Sequence, residues 1–393
     1  MEEQEAVIDL AGIRTLQFTD LQRANAMMAD FFRSRLPFAV AHVDIRVLAV
    51  SLNSVNGILI AEDGQRLFFK AHIESQVANR EYYNTEVLSD AGYPVVRPVL
   101  KAKESEEQHV LLYEVIETPT MFDACRAVET GAASNEADLI AAQRLSDTTL
   151  LGFYHRSLRW QTADENAASP VFQLFYHRLV GGRFDQFYRG QIVPLLERPW
   201  EEIAALPWVI NGRRFAKPLG ELVVDAARLL SPAQAGPAVV GHGDAHNGNV
   251  FYRGADVDLL YFDPAFAGAH HPLIDLTKPL YHNTLAQWMY FPFETSLQLT
   301  AEVRGGAVIV EHDYRMNSLR QGILDSKKEL VLLPIVAELA DRKWLREDWR
   351  EYLQAAVFCC PLLTMNLCDR AKFPANVSVL GLAHAVMTGN EDL

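Results

Sequence analysis

One stretch restricts this chain more than any other: Val239-Val240-Gly241-His242-Gly243-Asp244-Ala245-His246-Asn247-Gly248-Asn249-Val250-Phe251. An apolar run enters it, an apolar run leaves it, and the middle is polar and glycine-rich. Such a loop between strands packs poorly and is suited to presenting side chains for a site. Arg253-Gly254-Ala255-Asp256 then has the composition of a turn and Asp258–Phe262 that of a returning strand, so a hairpin is predicted that ends at Asp263. A strand-terminal carboxylate, taken with Asp244 and Asn249, makes a set of oxygen donors suited to a hard cation. Phosphoryl transfer needs such a set: a carboxylate that orients the attacking hydroxyl and accepts its proton, and oxygen ligands for metal ions that bridge the nucleotide phosphates. Asp244 suits the first role, Asn249 and Asp263 the second.

Upstream, the apolar residues Leu21, Ala24, Met28, Phe31 and Phe32 recur at helical spacing, which predicts a helix over 20–36 capped by Asp20. Strands are predicted over Asp44–Ser51, Gly57–Glu62 and Arg66–Ala71, with turns at 52–56 and at Glu62-Asp63-Gly64. A helix over 76–91 stops at Gly92 and Pro94, and two further strands cover Val95–Leu100 and His109–Ile116. Residues 1–116 therefore read as a small, mostly antiparallel sheet lobe with a central helix, and 117–393 as a larger, mostly helical lobe. In the second, a long helix is predicted over 135–160, with Leu139, Ala142, Leu145, Leu150 and Phe153 on its buried face. Residues 170–230 read as helices broken at prolines, and the chain from about 275 onward as helical.

The segment His242-Gly243-Asp244-x-His246-x-x-Asn249, followed by a hairpin into Asp263, resembles the aminoglycoside phosphotransferase and choline kinase family. The resemblance implies a two-lobed, protein-kinase-like α+β fold, with ATP and Mg²⁺ as cofactors. It implies that Asp244 is the catalytic base, that Asn249 and Asp263 bind magnesium, and that His242 is structural, with His246 in support. Asp275, in Pro272-Leu273-Ile274-Asp275-Leu276, resembles a further family Asp that stabilises the catalytic loop. Lys70, at the end of Leu67-Phe68-Phe69, resembles the strand lysine that meets the phosphates. Its helix partner is then Glu81 in Arg80-Glu81, with Glu86 as the alternative. Ser51–Gly57 stands where the phosphate-covering loop belongs, which makes Ser54 and Asn56 candidate phosphate contacts. Glu114-Val115-Ile116 resembles the hinge whose backbone meets adenine. Pro264-Ala265 after Asp263 departs from the family pattern and leaves the geometry of the next turn open.

Hydrophobic content of 49% with 22% charged residues is that of a globular chain. A formal charge of −14 argues against nucleic acid or an anionic membrane as partner. Four cysteines without a paired framework, an acidic amino-terminal segment and no uninterrupted apolar span of about 20 residues lead us to expect a reduced, cytoplasmic protein. The expected partner is a small hydroxylated molecule such as an aminoglycoside, choline, a sugar or a related alcohol. Its charge is left open: Trp288, Tyr290, Phe291 and Phe293 would suit a cation, whereas Arg178 and Arg183 would suit an anion. Two rival readings stand beside this one. One is a metal-dependent hydrolase built on His242, Asp244 and His246 with Asp263, His270 and His271; the other is a non-catalytic, kinase-like nucleotide-binding protein.

Overall fold

The computed structural model describes residues 10–46, 54–72, 84–103 and 109–392. They form two compact units: residues 1–89, 95–118 and 263–265 belong to the smaller, and residues 90–94, 119–262 and 266–393 to the larger.

The smaller unit is a sheet backed by helices. Helices α1 (Leu10–Leu16) and α2 (Leu21–Arg35) precede strands β1 (Val40–Ile45), β2 (Ser54–Ala61), β3 (Arg66–His72), β4 (Leu100–Lys103) and β5 (His109–Glu114). The strands are ordered β1-β2-β3-β5-β4 and every neighbouring pair is antiparallel. Asp20 caps α2 by accepting the Arg23 N–H, and the helix lays Ala24, Met28, Phe31 and Phe32 on the sheet. Phe32 meets Phe69 edge to face at 5.1 Å. Alternation along β3 sends Leu67, Phe69 and Ala71 into this core and turns Lys70 to the opposite face.

Three expectations for this unit need correction. The first strand begins at Val40 rather than Asp44, and the fourth runs from Leu100 rather than from Val95. Ser54 and Asn56 lie inside β2, not in a loop. Val55 and Gly57–Leu59 are buried there, and Asn56 pairs across the sheet with Lys70, so burial overrode the turn-forming composition of 54–56. Residues 84–90 are helical and Gly92 follows with φ 96°, a helix-end conformation.

The larger unit is mostly helical. Helices α3 (Met121–Glu129) and α4 (Glu136–Ser157) lead into strand β6 (Arg159–Gln161). Residues 170–230 contain short helical turns and two small hairpins before α5 (Leu219–Leu229), so this region is less helical than its composition indicates. Strand β7 (Gly236–Gly241) lies between β6 and β10 (Gly268–His270), antiparallel to both. Strands β8 (Val250–Phe251) and β9 (Leu260–Tyr261) make the predicted hairpin, shorter than read from sequence. Helix α6 (Pro272–His282) follows. The expectation of helix alone beyond 275 also needs correction, because β11 (Leu299–Arg304) and β12 (Ala307–His312) form a hairpin there, extended by a parallel strand at Trp208–Ile210. Its signal was present: alternating residues on either side of Gly305-Gly306. Helices α7 (Ser318–Lys327), α8 (Trp349–Thr364) and α9 (Ala375–Asn390) complete the unit. Among the described residues, no helix is long and apolar enough to cross a membrane, and all four cysteines are free thiols.

Helix α4 holds an unexpected polar core. Leu139, Ala142, Leu150 and Phe153 are buried as expected and Leu145 is exposed, while Gln143, Ser146 and Asp147 share the buried face. Asp147 Oδ1 pairs with the Lys327 ammonium and accepts from Gln143 Nε2 at 2.9 Å, while Oδ2 accepts from Ser326 Oγ at 2.7 Å. A buried pair of this kind is costly to break from one side, because the remaining charge is left without a partner. Asp147→Ala is expected to destabilise the protein by about 3–5 kcal/mol, whereas Asp147→Ala combined with Lys327→Met should recover much of that loss. Urea unfolding of the two variants checks this.

Candidate functional site

The loop after β7 is held from below by one carboxylate. Gly243 N–H donates to Asp275 Oδ1 at 2.6 Å, His270 Nε2 meets the same oxygen at 2.9 Å, and Tyr154 Oη donates to Oδ2. Burial pushes the Asp275 carboxyl up, but the hydrogen bond and charge of His270, with the Tyr154 and Gly243 hydrogen bonds, hold it below the usual carboxylate range. The two glycines before Asp244 are required by this packing. A Cβ on Gly241 would stand 2.4 Å from the Asp275 carboxyl carbon, and one on Gly243, whose φ is 78°, would stand 2.6 Å from the Phe266 carbonyl oxygen.

Above this base the loop binds its own backbone. His242 is fully buried; one ring nitrogen, Nε2, meets the Phe262 carbonyl at 2.9 Å, and Nδ1 accepts the Asp244 N–H at 3.3 Å. That pairing assigns the proton to Nε2. His246 Nδ1 accepts the Gly248 N–H at 3.1 Å and caps the helical turn Asn247–Asn249. Asn249 Nδ2 donates to the Asp244 carbonyl at 2.9 Å, and its own carbonyl accepts the Phe262 N–H at 3.0 Å. Phe262, the residue before Asp263, is thereby gripped at both N–H and C=O.

Asp244 differs from its neighbours. Its Oδ1 is buried and has no hydrogen-bond partner among the described residues; the Lys278 ammonium stands 3.9 Å away. Burial raises its pKa, and Lys278, His246, Arg178 and His242 together outweigh that, so the carboxyl sits below its ordinary value and is ionised at neutral pH. Lys278 Nζ also reaches His282 Nε2 at 3.3 Å, and His282 Nδ1 meets Tyr290 Oη at 2.7 Å. Since an ammonium only donates, Nε2 accepts and Nδ1–H donates to the tyrosine. Lys278 and His282 escaped the sequence reading, although Asp275, Lys278 and His282 fall at helical spacing on one apolar helix, a signal that was there to use.

In the smaller unit, Lys70 Nζ donates to Asp263 Oδ1 at 2.6 Å. Asp263 has φ 55°, a conformation that residues other than glycine seldom adopt. The turn after it, left open by Pro264-Ala265, is held by Asn84, whose Nδ2 donates to both carbonyls at 3.1 Å. Glu81 lies outside the described residues, as does the side chain of Ser54. Glu86 is described and makes no ion pair with Lys70. Glu114 ends β5 opposite Leu67 and is exposed, and Ile116 follows the strand, half-buried.

Taken one by one, the two residues expected to bind magnesium each have an oxygen to offer. The Asn249 amide nitrogen is spent on the Asp244 carbonyl, which leaves its oxygen for a cation; Asp263 gives one oxygen to Lys70 and keeps the other without a hydrogen bond among the described residues. The histidines do not suit a metal cluster. Those at 242 and 246 are committed to backbone groups, His270 to Asp275, and His271 to the Leu273 N–H at 3.2 Å. No three His, Cys, Asp or Glu side chains among the described residues converge as metal ligands. The four aromatics after Asp275 do not form one wall: Trp288 is buried against His384, Tyr290 bonds His282, Phe291 stacks on Phe122, and Phe293 is exposed.

His271 supplies a pH signature. Burial, with the charges of Arg346 and His270, lowers its pKa to about 3. Between that value and the ordinary one near 6.5 the unfolded chain binds a proton that the folded chain refuses. Its contribution is therefore complete above about pH 6.5 and is lost as the pH falls. His271→Asn keeps an acceptor at the start of α6 and should flatten the decline between pH 6.5 and 4.5 by about 2–3 kcal/mol. Urea midpoints across that range test this, and an unchanged slope would contradict it.

No protein-family model matches the sequence, and no curated protein shows significant similarity to it. Solved structures do match. An amicoumacin kinase in complex with AMP-PNP and Ca²⁺ is 12% identical, with a TM-score of 0.51, covering 93% of this chain and 92% of its own. The aminoglycoside phosphotransferase APH(4)-Ia, in a ternary complex with AMP-PNP and hygromycin B, is 8% identical with a TM-score of 0.48, over 92% and 98% of the two chains. A spectinomycin phosphotransferase with ADP and spectinomycin is 13% identical at 0.40, over 92% and 99%. The first of these likenesses establishes the fold: the chain has the protein-kinase-like architecture of the amicoumacin kinase.

Proposed function

We propose that this chain is a phosphotransferase that moves the terminal phosphoryl group of ATP to a hydroxyl group of a small molecule. The observation that carries the reading is Asp244 itself: an ionised carboxylate in a loop whose other buried side-chain polar atoms have partners, with one buried oxygen still lacking a donor. An acceptor hydroxyl supplies that donor. As its oxygen attacks the γ-phosphorus, the new O–P bond forms, the bond to the β,γ-bridging oxygen breaks, ADP leaves with that electron pair, and the hydroxyl proton passes to Asp244. A base of low pKa serves this chemistry, because a loose transition state transfers the proton late.

The remaining residues take supporting roles in this reading. Lys70 meets the nucleotide phosphates, and Asn56, its cross-strand neighbour, and Ser54 lie beside that function on β2. The backbone of Glu114 and Ile116 recognises the base. Asn249 and Asp263 hold Mg²⁺, which when bound neutralises charge on the phosphates. Asp275, His242 and His246 position the loop. The fold shared with a kinase that binds AMP-PNP supports ATP as the donor. A cytoplasmic setting is part of the same proposal.

The expected behaviour is a rise in melting temperature that requires ATP and Mg²⁺ together and disappears with EDTA. Asp244→Ala should keep that shift and lose acceptor-dependent ADP release by at least about 100-fold. Asp263→Ala should lose the shift. Stabilisation by Zn²⁺ or Mn²⁺ alone with none from any nucleotide, or wild-type turnover in Asp244→Ala, would sink the assignment.

A further inference from the structure

The chain carries a formal charge of −14, yet the surroundings of Asp244 in the larger unit are basic. Lys278 Nζ lies 3.9 Å from the open oxygen of Asp244 and 3.5 Å from Thr364 Oγ1. Arg183 Nη1 reaches the carbonyls of Leu363 and Thr364, each at 3.4 Å, so Thr364 links Lys278 to Arg183 at the end of α8. Arg178, on the short helix Tyr176–Leu179, completes the group. It acts electrostatically on both Asp244 and His282, and it makes no hydrogen bond and no ion pair among the described residues. Burial and the like charge of Arg183 lower its pKa to about 10, and among the described residues Asp244 is the one carboxylate acting on either arginine.

Lys278 thus stands beside Asp244, Thr364 ties it to Arg183, and both arginines act on that same carboxylate. Arg183 has a structural use in the carbonyls it meets, and Lys278 has its contacts with His282 and Thr364, but Arg178 has none. Arg178 is half-buried, and a guanidinium partly withdrawn from water with no protein partner among the described residues is stabilised when a ligand supplies the anion. We infer that Arg178, Arg183 and Lys278 form an anion seat for the acceptor, so that the alcohol phosphorylated here carries a carboxylate or phosphate group of its own. The inference rests on the phosphotransferase reading. In that reading the oxygen of Asp244 facing Lys278 is where the acceptor hydroxyl docks, which makes Lys278 a neighbour of acceptor atoms. The nucleotide phosphates already have Lys70 and the metal ligands. The planar fork of an arginine matches either oxyanion, whereas a polycationic acceptor such as an aminoglycoside would meet like charge.

Calorimetric titration of the full chain saturated with Mg²⁺ and AMP-PNP tests the proposal. The probes are D-glycerate and glycerol 3-phosphate as anionic alcohols, glycerol as the neutral one and choline as the cation. At least one anionic alcohol should bind about ten-fold or more tighter than glycerol, and comparing the two separates carboxylate from phosphate recognition. Arg178→Met should remove that advantage and Arg178→Lys should restore part of it, with circular dichroism verifying the fold of each. Equal or undetectable binding of all four probes, or preference for glycerol or choline, overturns the inference. So does an Arg178→Met variant that weakens AMP-PNP instead of the alcohol, because the cluster would then serve the terminal phosphate. Failure of the wild type to bind AMP-PNP refutes the phosphotransferase reading separately, and the anion preference is then read without nucleotide.

Discussion

The larger unit depends on the buried carboxylate of Asp275. Three donors from three places in the chain converge on it: Tyr154 from α4, His270 from β10 and the Gly243 N–H from the loop. A buried carboxylate without partners would be prohibitively expensive, and each of these donors removes part of that cost. Because α6 carries Asp275 and Lys278 one turn apart, the helix that anchors the loop from below also delivers the cation beside Asp244. Anchoring and electrostatics therefore come from the same turn of helix.

The polar groups of the loop are satisfied in a fixed order. Backbone N–H groups go to Asp275, His242 and His246; carbonyls go to Asn249 and the hairpin. What is left over is the useful part: the carboxylate of Asp244, with its buried Oδ1, and the amide oxygen of Asn249. Buried polar atoms are normally paired, so a residue that leaves one open inside an otherwise satisfied network marks where a ligand belongs. Arg178 and Arg183 differ in their partners. Both are half-buried cations, but among the described residues only Arg183 finds carbonyls.

Backbone conformation adds a second constraint. Asp263 adopts a positive φ directly before a proline, a costly combination held by Lys70 on its side chain and by Asn84 on the two carbonyls that follow. A proline at 264 fixes the chain direction immediately after the carboxylate.

Local physics determined much of this protein from sequence alone. Asp20 capped α2, apolar spacing placed α2 and α4, the 62–64 turn joined two strands, and the glycine-rich segment between apolar runs became a loop followed by a hairpin. These features rest on neighbours in the chain and so are legible in it. Tertiary structure decided the rest, because its causes lie far apart in sequence. Burial drew Val55 and Asn56 into a strand, and Lys327 gave the buried Asp147 of α4 its partner. Asn84 settled the turn after Asp263, and Lys278 and His282 came to stand beside Asp244 only when α6 folded under the loop. Periodicity reports which side of an element is buried; it carries no record of which distant charge waits there.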